Sequence, residues 1–248
     1  MRTVSGYEPI SILIQNSPSP LNALPQGGLP QGRDEIRIDA SLALAGLGTN
    51  AAPGVSAVFH AYTTARSWSR HGFDESLRRL PIDVPAYDAA LKTLVKRGEI
   101  ADAVSLIAQF GVRNLNSVQV LTNAICSTNV LPTEAAFGQL RYCRRYKSFV
   151  LPALKHALKN GNQASRLNAV STLECYEADA VEAIPELVAA LKSEDGELRY
   201  RAARALESMG PTALPAVQAL TSATNDSSVM VQRVATRVLN NLKKDTDQ

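Results

Sequence analysis

Apolar residues recur at helical spacing from Leu198 to Met209, while charged residues fall on the other side of the same segment. Gly210 follows and predicts the end of this helix, because glycine enters the left-handed conformation without a steric penalty. Pro211 then prevents continuation, and Pro215 suits the first turn of a second helix, where a missing N–H costs nothing. The pattern therefore predicts a helix hairpin. Its apolar stripe comprises Leu198, Ala202, Ala205, Leu206 and Met209, and its charged side carries Arg201, Arg204 and Glu207.

The same hairpin pattern recurs along the chain at a spacing of 33 residues. Ala202 lies 33 positions after Ala169 (202 − 169) and 33 positions before Ala235 (235 − 202). A weaker copy lies 162 positions earlier (202 − 40), around Ala40. A period of about 30–45 residues with two helices per unit predicts an α-solenoid. The matched segments are 199–207 with 166–174, and 202–206 with 235–239.

These residues resemble the HEAT repeat, in particular the short HEAT-like repeats of bacterial proteins and phycobilisome lyases. The resemblance is good over 149–243 and fair over 33–58. It implies an all-α fold, an α-solenoid of stacked antiparallel helix hairpins in a HEAT/armadillo-like superhelix. It also implies that second helices line a concave surface and that Arg37 and Arg199 hold adjacent units together. The residues that carry it are Pro53, Pro152, Pro185 and Pro215, the Leu/Ile-Arg pairs at 36–37 and 198–199, and the Ala-x-x-Ala-Leu core.

We expect one solenoid over 1–248, divided by the regularity of its repeats. The divisions are an N-terminal HEAT-like repeat at 1–64 with a Pro/Gly loop at 17–32, an irregular helical middle at 65–148, regular repeats at 149–243 and a polar tail at 244–248. In the first repeat, Asp34 is predicted to cap a helix over 34–47, and Ala51 to Thr64 is predicted to be the next helix. In the middle, the polar segment from Arg66 to Asp74 predicts an inserted loop. Further helices are predicted at 87–96, 100–110, 115–126, 133–146 and 149–159.

Composition supports thin helical layers and sets the expected compartment. Hydrophobic residues make up 45% of the chain and aromatic residues only 5%, which suits helix pairs better than a sheet sandwich. No apolar run approaches the roughly 18 residues that a membrane span needs, and the opening residues lack the apolar segment of a signal peptide. Cys126, Cys143 and Cys175 are scattered, as expected for free thiols in a reducing compartment, so a cytoplasmic location is expected.

Charge is uneven along the chain, and this is the main functional hint in the sequence. Residues 61–160 hold fourteen Lys/Arg and seven Asp/Glu, a balance of 14 − 7 = +7, whereas 161–248 hold nine and twelve, or −3. The densest basic patch runs from Arg141 to Lys147 with interleaved tyrosines. Such a patch can bind an acidic protein or a nucleic acid, or it can be an ordinary solvated helix end. Its candidate binding residues are Arg144, Arg145 and Lys147.

A second set of arginines lies on the regular repeats. Arg204 and Arg237 share a repeat position (237 − 204 = 33), and Arg201 lies beside the first of them. If the resemblance holds, these side chains face the concave surface. We therefore predict a non-enzymatic scaffold or adaptor that binds a protein partner on that face, with its oligomeric state left open. The predicted protein-binding residues are Arg201, Arg204, Arg237, Arg144, Arg145 and Lys147.

The sequence gives little sign of catalysis. No glycine-rich nucleotide motif is present, and His60, His71 and His156 lack metal-site spacing, so no catalytic residue, cofactor or metal is predicted. Three alternatives stay open. One is nucleic-acid binding through the basic middle, either as a HEAT-like DNA glycosylase using Trp68 and Asp74 or through the segment 86–104, which resembles one pentatricopeptide unit. The second is a phycobilin-lyase-like protein. The third is an ordinary exposed surface, with no partner bound at the six predicted residues.

Overall fold

The computed structural model describes residues 32–47, 54–81, 83–127 and 133–246. The loop predicted at 17–32 lies outside these residues except for Gly32. Throughout the described part of the chain the regular elements are helices, and no strand occurs there. The predicted all-α class is confirmed.

By their internal contacts, the residues form two compact units, Met1–Arg113 and Asn114–Gln248. The predicted boundaries at 64, 148 and 243 rest on the regularity of the sequence repeats and not on contacts, so they stay a prediction. In the described part of unit 1 the α-helices are α1 (Gly32–Ala45), α2 (Val55–Thr64), α3 (Asp74–Arg79), α4 (Val84–Lys96) and α5 (Ile100–Phe110). In unit 2 they are α6 (Leu115–Cys126), α7 (Thr133–Leu140), α8 (Lys147–Asn160), α9 (Gln163–Glu174), α10 (Ile184–Ala190), α11 (Gly196–Ser208), α12 (Val217–Ala223) and α13 (Val229–Thr246).

Unit 2 has the predicted repeat spacing in its elements as well as in its sequence. Helices α9, α11 and α13 begin at residues 163, 196 and 229, which are 33 apart (196 − 163 and 229 − 196). Short 3-10 helices begin at 144, 177 and 210, with the same interval, and precede α8, α10 and α12. Within each hairpin the two α-helices pack together, and α9 packs on α11 as α11 packs on α13. The predicted α-solenoid of stacked antiparallel hairpins is confirmed.

The seam between the second helices is made of small and aliphatic side chains at matching positions. Ala169, Ala202 and Ala235 are fully buried, and so are Leu173 and Leu206. Alanine lets neighbouring helices approach closely, while leucine fills the space between them, so each hairpin buries its apolar stripe against the next.

Two of the three turns that lead into the 3-10 helices at 144, 177 and 210 use a left-handed residue at the first position of the helix. Gly210 adopts φ 57°, as the sequence predicts for a residue that ends a helix. Its counterpart one repeat earlier, Glu177, adopts φ 50° despite its side chain. The chain then turns directly into a 3-10 helix, so Pro215 lies in the segment Gly210–Ala216 and not, as predicted, in the first turn of an α-helix.

The predicted loop from Arg66 to Asp74 is wrong, because it is helical and partly buried. A 3-10 helix spans Ser67–Phe73 and runs into α3. Arg70 in this segment is only 2% exposed, and its guanidinium donates to Asp102 at 2.5 Å, to Glu99 at 2.8 Å and to the Tyr62 carbonyl at 3.1 Å. One buried cation therefore connects three elements of unit 1, and this tertiary role left no pattern in the local sequence.

Other element ends differ from expectation by a few residues. Asp34 is not a cap but lies in the first turn of α1, where its carboxylate accepts from the Ser69 hydroxyl at 2.6 Å. Helix α7 ends at Leu140, before the predicted 146, and a separate 3-10 turn follows. The last helix continues to Thr246, past the predicted start of the polar tail at 244. Helices α4, α5 and α6 lie where the sequence predicts them.

Replacing Arg70 with methionine tests the buried cation. We expect Arg70→Met to lower the stability of unit 1 by about 3 kcal/mol, because Glu99 and Asp102 keep their charges without a partner at this position. The measurement is a urea titration followed by the fluorescence of the only tryptophan, Trp68, which belongs to unit 1. Arg78→Met is the control, since that side chain is 60% exposed and its loss should change stability by less than about 0.5 kcal/mol. Equal effects of the two substitutions would contradict this role.

Candidate functional site

Arg199 ties two turns of unit 2 together, as the sequence predicts for a structural arginine. Its Nε and NH2 donate to the two carboxylate oxygens of Asp226 at 2.8 and 2.9 Å. Its NH1 donates to the carbonyls of Ser193 and Glu194. The Arg199 guanidinium holds the pKa of Asp226 below its ordinary value, mainly through this hydrogen bond. This pair is mostly buried and belongs to the frame of the repeat.

The predicted arginine ladder exists, and each of its members is bound to a glutamate of the preceding repeat. Arg204 donates to Glu174 at 2.6 Å, and Arg237 donates to both carboxylate oxygens of Glu207. Both pairs span 30 residues (204 − 174 and 237 − 207), so they occupy the same place in successive repeats. The arginines are exposed while the glutamates are less so. The result is a row of fixed ion pairs on what we call the second-helix face, formed by the exposed side chains of α9, α11 and α13.

Arg201 is fixed in the same way but to different partners. Its Nε donates to Glu197 within α11 at 2.6 Å, and its NH1 donates to the Ser171 hydroxyl of α9 at 2.6 Å. Its guanidinium therefore lies across the junction of two second helices.

The basic patch at 144–147 is also bound to carboxylates one repeat away. Arg144 lies 2.9 Å from Glu177 and 3.0 Å from Asp179, and Lys147 lies 2.6 Å from Asp179. The hydrogen bond from Lys147, with Arg144 nearby, lowers the pKa of the Asp179 carboxyl. Arg145 differs, because its guanidinium lies over the ring of Tyr146 at 4.6 Å. At Arg144 and Lys147 the patch is thus a mixed-charge surface.

A depression of about 520 Å³ connects the patch to the ladder. Glu177, which binds Arg144, lies on its wall, and so does Glu174, which binds Arg204. Arg201 lines it directly. The structure therefore brings three of the six predicted residues round one cavity, either on its wall or one ion pair from it. Its other lining residues are Arg141, Ser171, Cys175 and Ser208.

The remaining predicted residues, Arg145, Lys147 and Arg237, do not line this depression. Arg237 lines a second depression of about 520 Å³ with Arg233, Asn240 and Lys244 along α13. Sequence reasoning did not assign Glu174 and Glu177 to the site, although Glu174 follows the 33-residue register, since 174 + 33 = 207 and residue 207 is also a glutamate. A search for carboxylates at that spacing could have found the ladder glutamates.

The alternative sites gain no support from the described geometry. No group of three His, Cys, Asp or Glu side chains that could hold a metal occurs among the described residues. The Trp68 side chain, proposed for a glycosylase-like cleft, lies outside them, and Asp74 accepts a hydrogen bond from Gln109 at 2.6 Å. No described helix has the length and apolar character to cross a membrane.

The stacked hairpins of unit 2 define the protein as an α-solenoid. Residues 151–245 match the sequence model of HEAT repeats, so the predicted resemblance to HEAT repeats is confirmed over these residues. A search of curated proteins found no relative.

Several solved structures are similar to the whole chain at low identity. A human deoxyhypusine hydroxylase in complex with glycerol is 18% identical, with a TM-score of 0.44 and coverage of 95% of each chain. A designed armadillo repeat protein in complex with a (KR)4 peptide is 14% identical, with a TM-score of 0.40 and coverage of 94% of this chain and 98% of that one. An engineered protein is 18% identical, with a TM-score of 0.47 and coverage of 94% and 68%. Likeness at this level gives no indication of what this chain binds.

Replacing Asp226 with asparagine tests the frame of the repeat. At pH 7 we expect Asp226→Asn to lower the free energy of opening of α11 by about 2 kcal/mol, because a buried guanidinium loses its charged acceptor. The folded pKa of Asp226 is depressed, so the contribution is complete above the unfolded pKa of about 3.9 and is lost as pH falls through the lower folded value. The difference between wild type and variant should therefore shrink below about pH 4.

Hydrogen exchange of the α11 backbone, followed by mass spectrometry over this pH range, measures the effect. Glu182→Gln is the control, because it makes the same carboxylate-to-amide change at an exposed position and should shift opening by less than about 0.5 kcal/mol. A pH-independent difference at Asp226 would show that the ion pair is not its cause.

Proposed function

We propose that this protein is a non-enzymatic HEAT-repeat scaffold that binds a protein partner on its second-helix face. The observation that carries the proposal is the depression of about 520 Å³ between the arginine ladder and the 144–147 patch. Fixed charges of both signs surround it, with Arg201 and Glu174 on its wall. Protein surfaces present both signs too, so a partner can match this pattern charge for charge.

Preorganisation supports the same conclusion. Each ladder arginine has five N–H donors in a planar fork, and its glutamate uses one or two of them. The other N–H groups belong to a side chain whose rotamer is already restricted by the ion pair. Binding a carboxylate or carbonyl of a partner therefore costs less side-chain entropy than ordering a solvated arginine would.

The same pairs disfavour a nucleic-acid partner. A phosphate backbone is bound by uncompensated positive charge, whose affinity comes from counterion release. Here Arg144 and Lys147 already bind Glu177 and Asp179, and these carboxylates lie where phosphates would approach. The basic excess counted in the sequence is thus reduced on the surface by its own repeat neighbours.

The proposal includes a reducing compartment, with the cytoplasm as the expected location. The three cysteines are free thiols, and burial raises the pKa of Cys143 to about 11. A buried, protonated thiol is unreactive and suits a compartment that does not form disulfides.

A swap of the ladder charges tests the proposal without removing its ion pairs. The variant exchanges Glu174 with Arg204 and Glu207 with Arg237, so net charge and pairing are kept while the pattern is inverted. We expect the thermal midpoint to stay within about 4 °C of wild type. Recovery of the partner protein from a cell extract, quantified by mass spectrometry, should fall by about tenfold, because each partner charge now meets its own sign.

The control for this experiment is an equivalent swap in unit 1. Exchanging Glu75 with Arg79 inverts an exposed ion pair of 2.6 Å that lies outside the proposed face, and it should leave recovery unchanged. A folded swapped-ladder variant that recovers the same proteins as wild type in the same amounts would overturn the proposed face.

Fluorescence anisotropy with labelled single-stranded RNA and duplex DNA separates the two partner classes. We expect no titratable binding at low salt, since Arg144 and Lys147 are already paired with carboxylates. Binding with a steep dependence on salt concentration would instead establish the nucleic-acid alternative.

A further inference from the structure

A further depression in unit 2, which we call the Arg166 depression, lies along α10, at the end of α8 and near the start of α9. Its volume is about 310 Å³. Leu158, Pro185, Ala189 and Ala190 give it an aliphatic lining, and Lys159, Arg166 and Glu186 supply its polar groups. None of these residues belongs to the second-helix depression described above.

Arg166 occupies the repeat position of Arg199 (199 − 166 = 33), yet the two Nε atoms are in different surroundings. The Nε of Arg199 donates to the carboxylate of Asp226 at 2.8 Å. The Nε of Arg166 is buried and has no hydrogen-bond partner among the described residues. A buried donor without an acceptor costs about 1–3 kcal/mol, so this site is destabilised until an acceptor arrives.

The missing acceptor has an identifiable cause in the sequence. The counterpart of Asp226 one repeat earlier is Ser193 (226 − 193 = 33). The two residues play the same part in the turn, because Ser193 Oγ accepts from the Asp195 N–H at 3.2 Å and Asp226 Oδ1 accepts from the Ser228 N–H at 2.8 Å. Ser193 therefore preserves the hydrogen bond of the turn but provides no carboxylate for Arg166.

The lining of the depression also includes a buried acceptor without a partner among the described residues. Glu186 Oε2 is buried and lacks a hydrogen-bond partner among the described residues, while its Oε1 lies 3.3 Å from Lys155. Lys155 offsets the charge of Glu186, so Arg166 and Lys159 leave the depression with positive character. Asp195, whose pKa is lowered chiefly by a hydrogen bond from Gln163 and also by the Arg166 charge, already accepts from two backbone N–H groups.

We propose that this depression binds a peptide segment of a protein partner in which an Asp or Glu lies next to an aliphatic residue. The carboxylate accepts from Arg166 Nε, as Asp226 does from Arg199. A backbone N–H of the segment donates to Glu186 Oε2, and the aliphatic side chain packs on Leu158 and Ala190. A carboxylate, an N–H and an aliphatic group in this small volume are the features of a peptide, and the inference rests on the proposed function in that the partner is a protein.

The test is a titration of the full chain, labelled with ¹⁵N, with the peptide acetyl-Glu-Leu-Leu-amide. The Arg166 Nε–Hε signal, assigned by its loss in Arg166→Lys, is expected to shift and to saturate. Acetyl-Gln-Leu-Leu-amide is the matched probe, and it should bind about tenfold more weakly because a neutral acceptor replaces a charged one. Absence of a saturable shift, or equal binding of both peptides, would overturn the proposal and leave water as the only occupant.

A substitution in the protein provides the converse test. Ser193→Asp restores the carboxylate found at Asp226, so it should slow hydrogen exchange in α9 and abolish the peptide-induced shift of Arg166. Ser105→Asp, an exposed change in unit 1, controls for net charge and should do neither. If Ser193→Asp binds the peptide as wild type does, the proposed acceptor geometry is wrong.

This outcome is distinguishable from that of the charge swap. The peptide titration measures Arg166 directly and does not involve Glu174, Arg204, Glu207 or Arg237. A swapped-ladder variant that loses its partner but still binds the peptide supports both proposals, whereas failure of the peptide alone removes this inference and leaves the second-helix face standing.

Discussion

The 33-residue register is the constraint on which unit 2 depends. A two-helix unit has an apolar stripe that it cannot bury by itself, so its stability comes from the neighbouring unit. The buried alanines at 169, 202 and 235 set how closely the second helices approach. Because each helix then presents the same positions at the same height, a charge repeated in sequence becomes a charge pair repeated in space. The Arg204–Glu174 and Arg237–Glu207 pairs follow from this register.

The register also allows residues at matching positions of neighbouring repeats to be compared directly. Where two repeats carry the same residue in different surroundings, the difference is not explained by the needs of the fold alone. Arg199 and Arg166 are such a case: one completes an ion pair with Asp226, and the other lines a depression with its Nε unpaired among the described residues. Glu177 and Gly210 are the converse case, because two different residues adopt the same left-handed conformation, which costs the glutamate about 1 kcal/mol.

Sequence reasoning predicted the features that repeat and missed those that depend on distant partners. Alanine–leucine spacing, Gly210 and the structural role of Arg199 all leave a local or periodic pattern. The ladder arginines were found for the same reason, but their glutamates were overlooked, because spacing along a helix does not fix where a long side chain points. The burial of Arg70 was not predicted, because its partners Glu99 and Asp102 lie 29 and 32 residues further along the chain. Without them, a polar segment that contains a buried cation resembles a loop.

The depression beside the ladder and the Arg166 depression have complementary physical properties. Ion pairs on an exposed face contribute little affinity, because the charges lose hydration when they pair. They do select the partner and its orientation. The Arg166 depression offers aliphatic surface and a buried donor whose unmet hydrogen bond favours occupancy. Both sites lie on the same stack of hairpins. A partner bound to the ladder would therefore hold a neighbouring segment of its own chain at high effective concentration near the Arg166 depression. Recognition by charge and retention by burial would then be separate steps, governed by different residues of the same repeat.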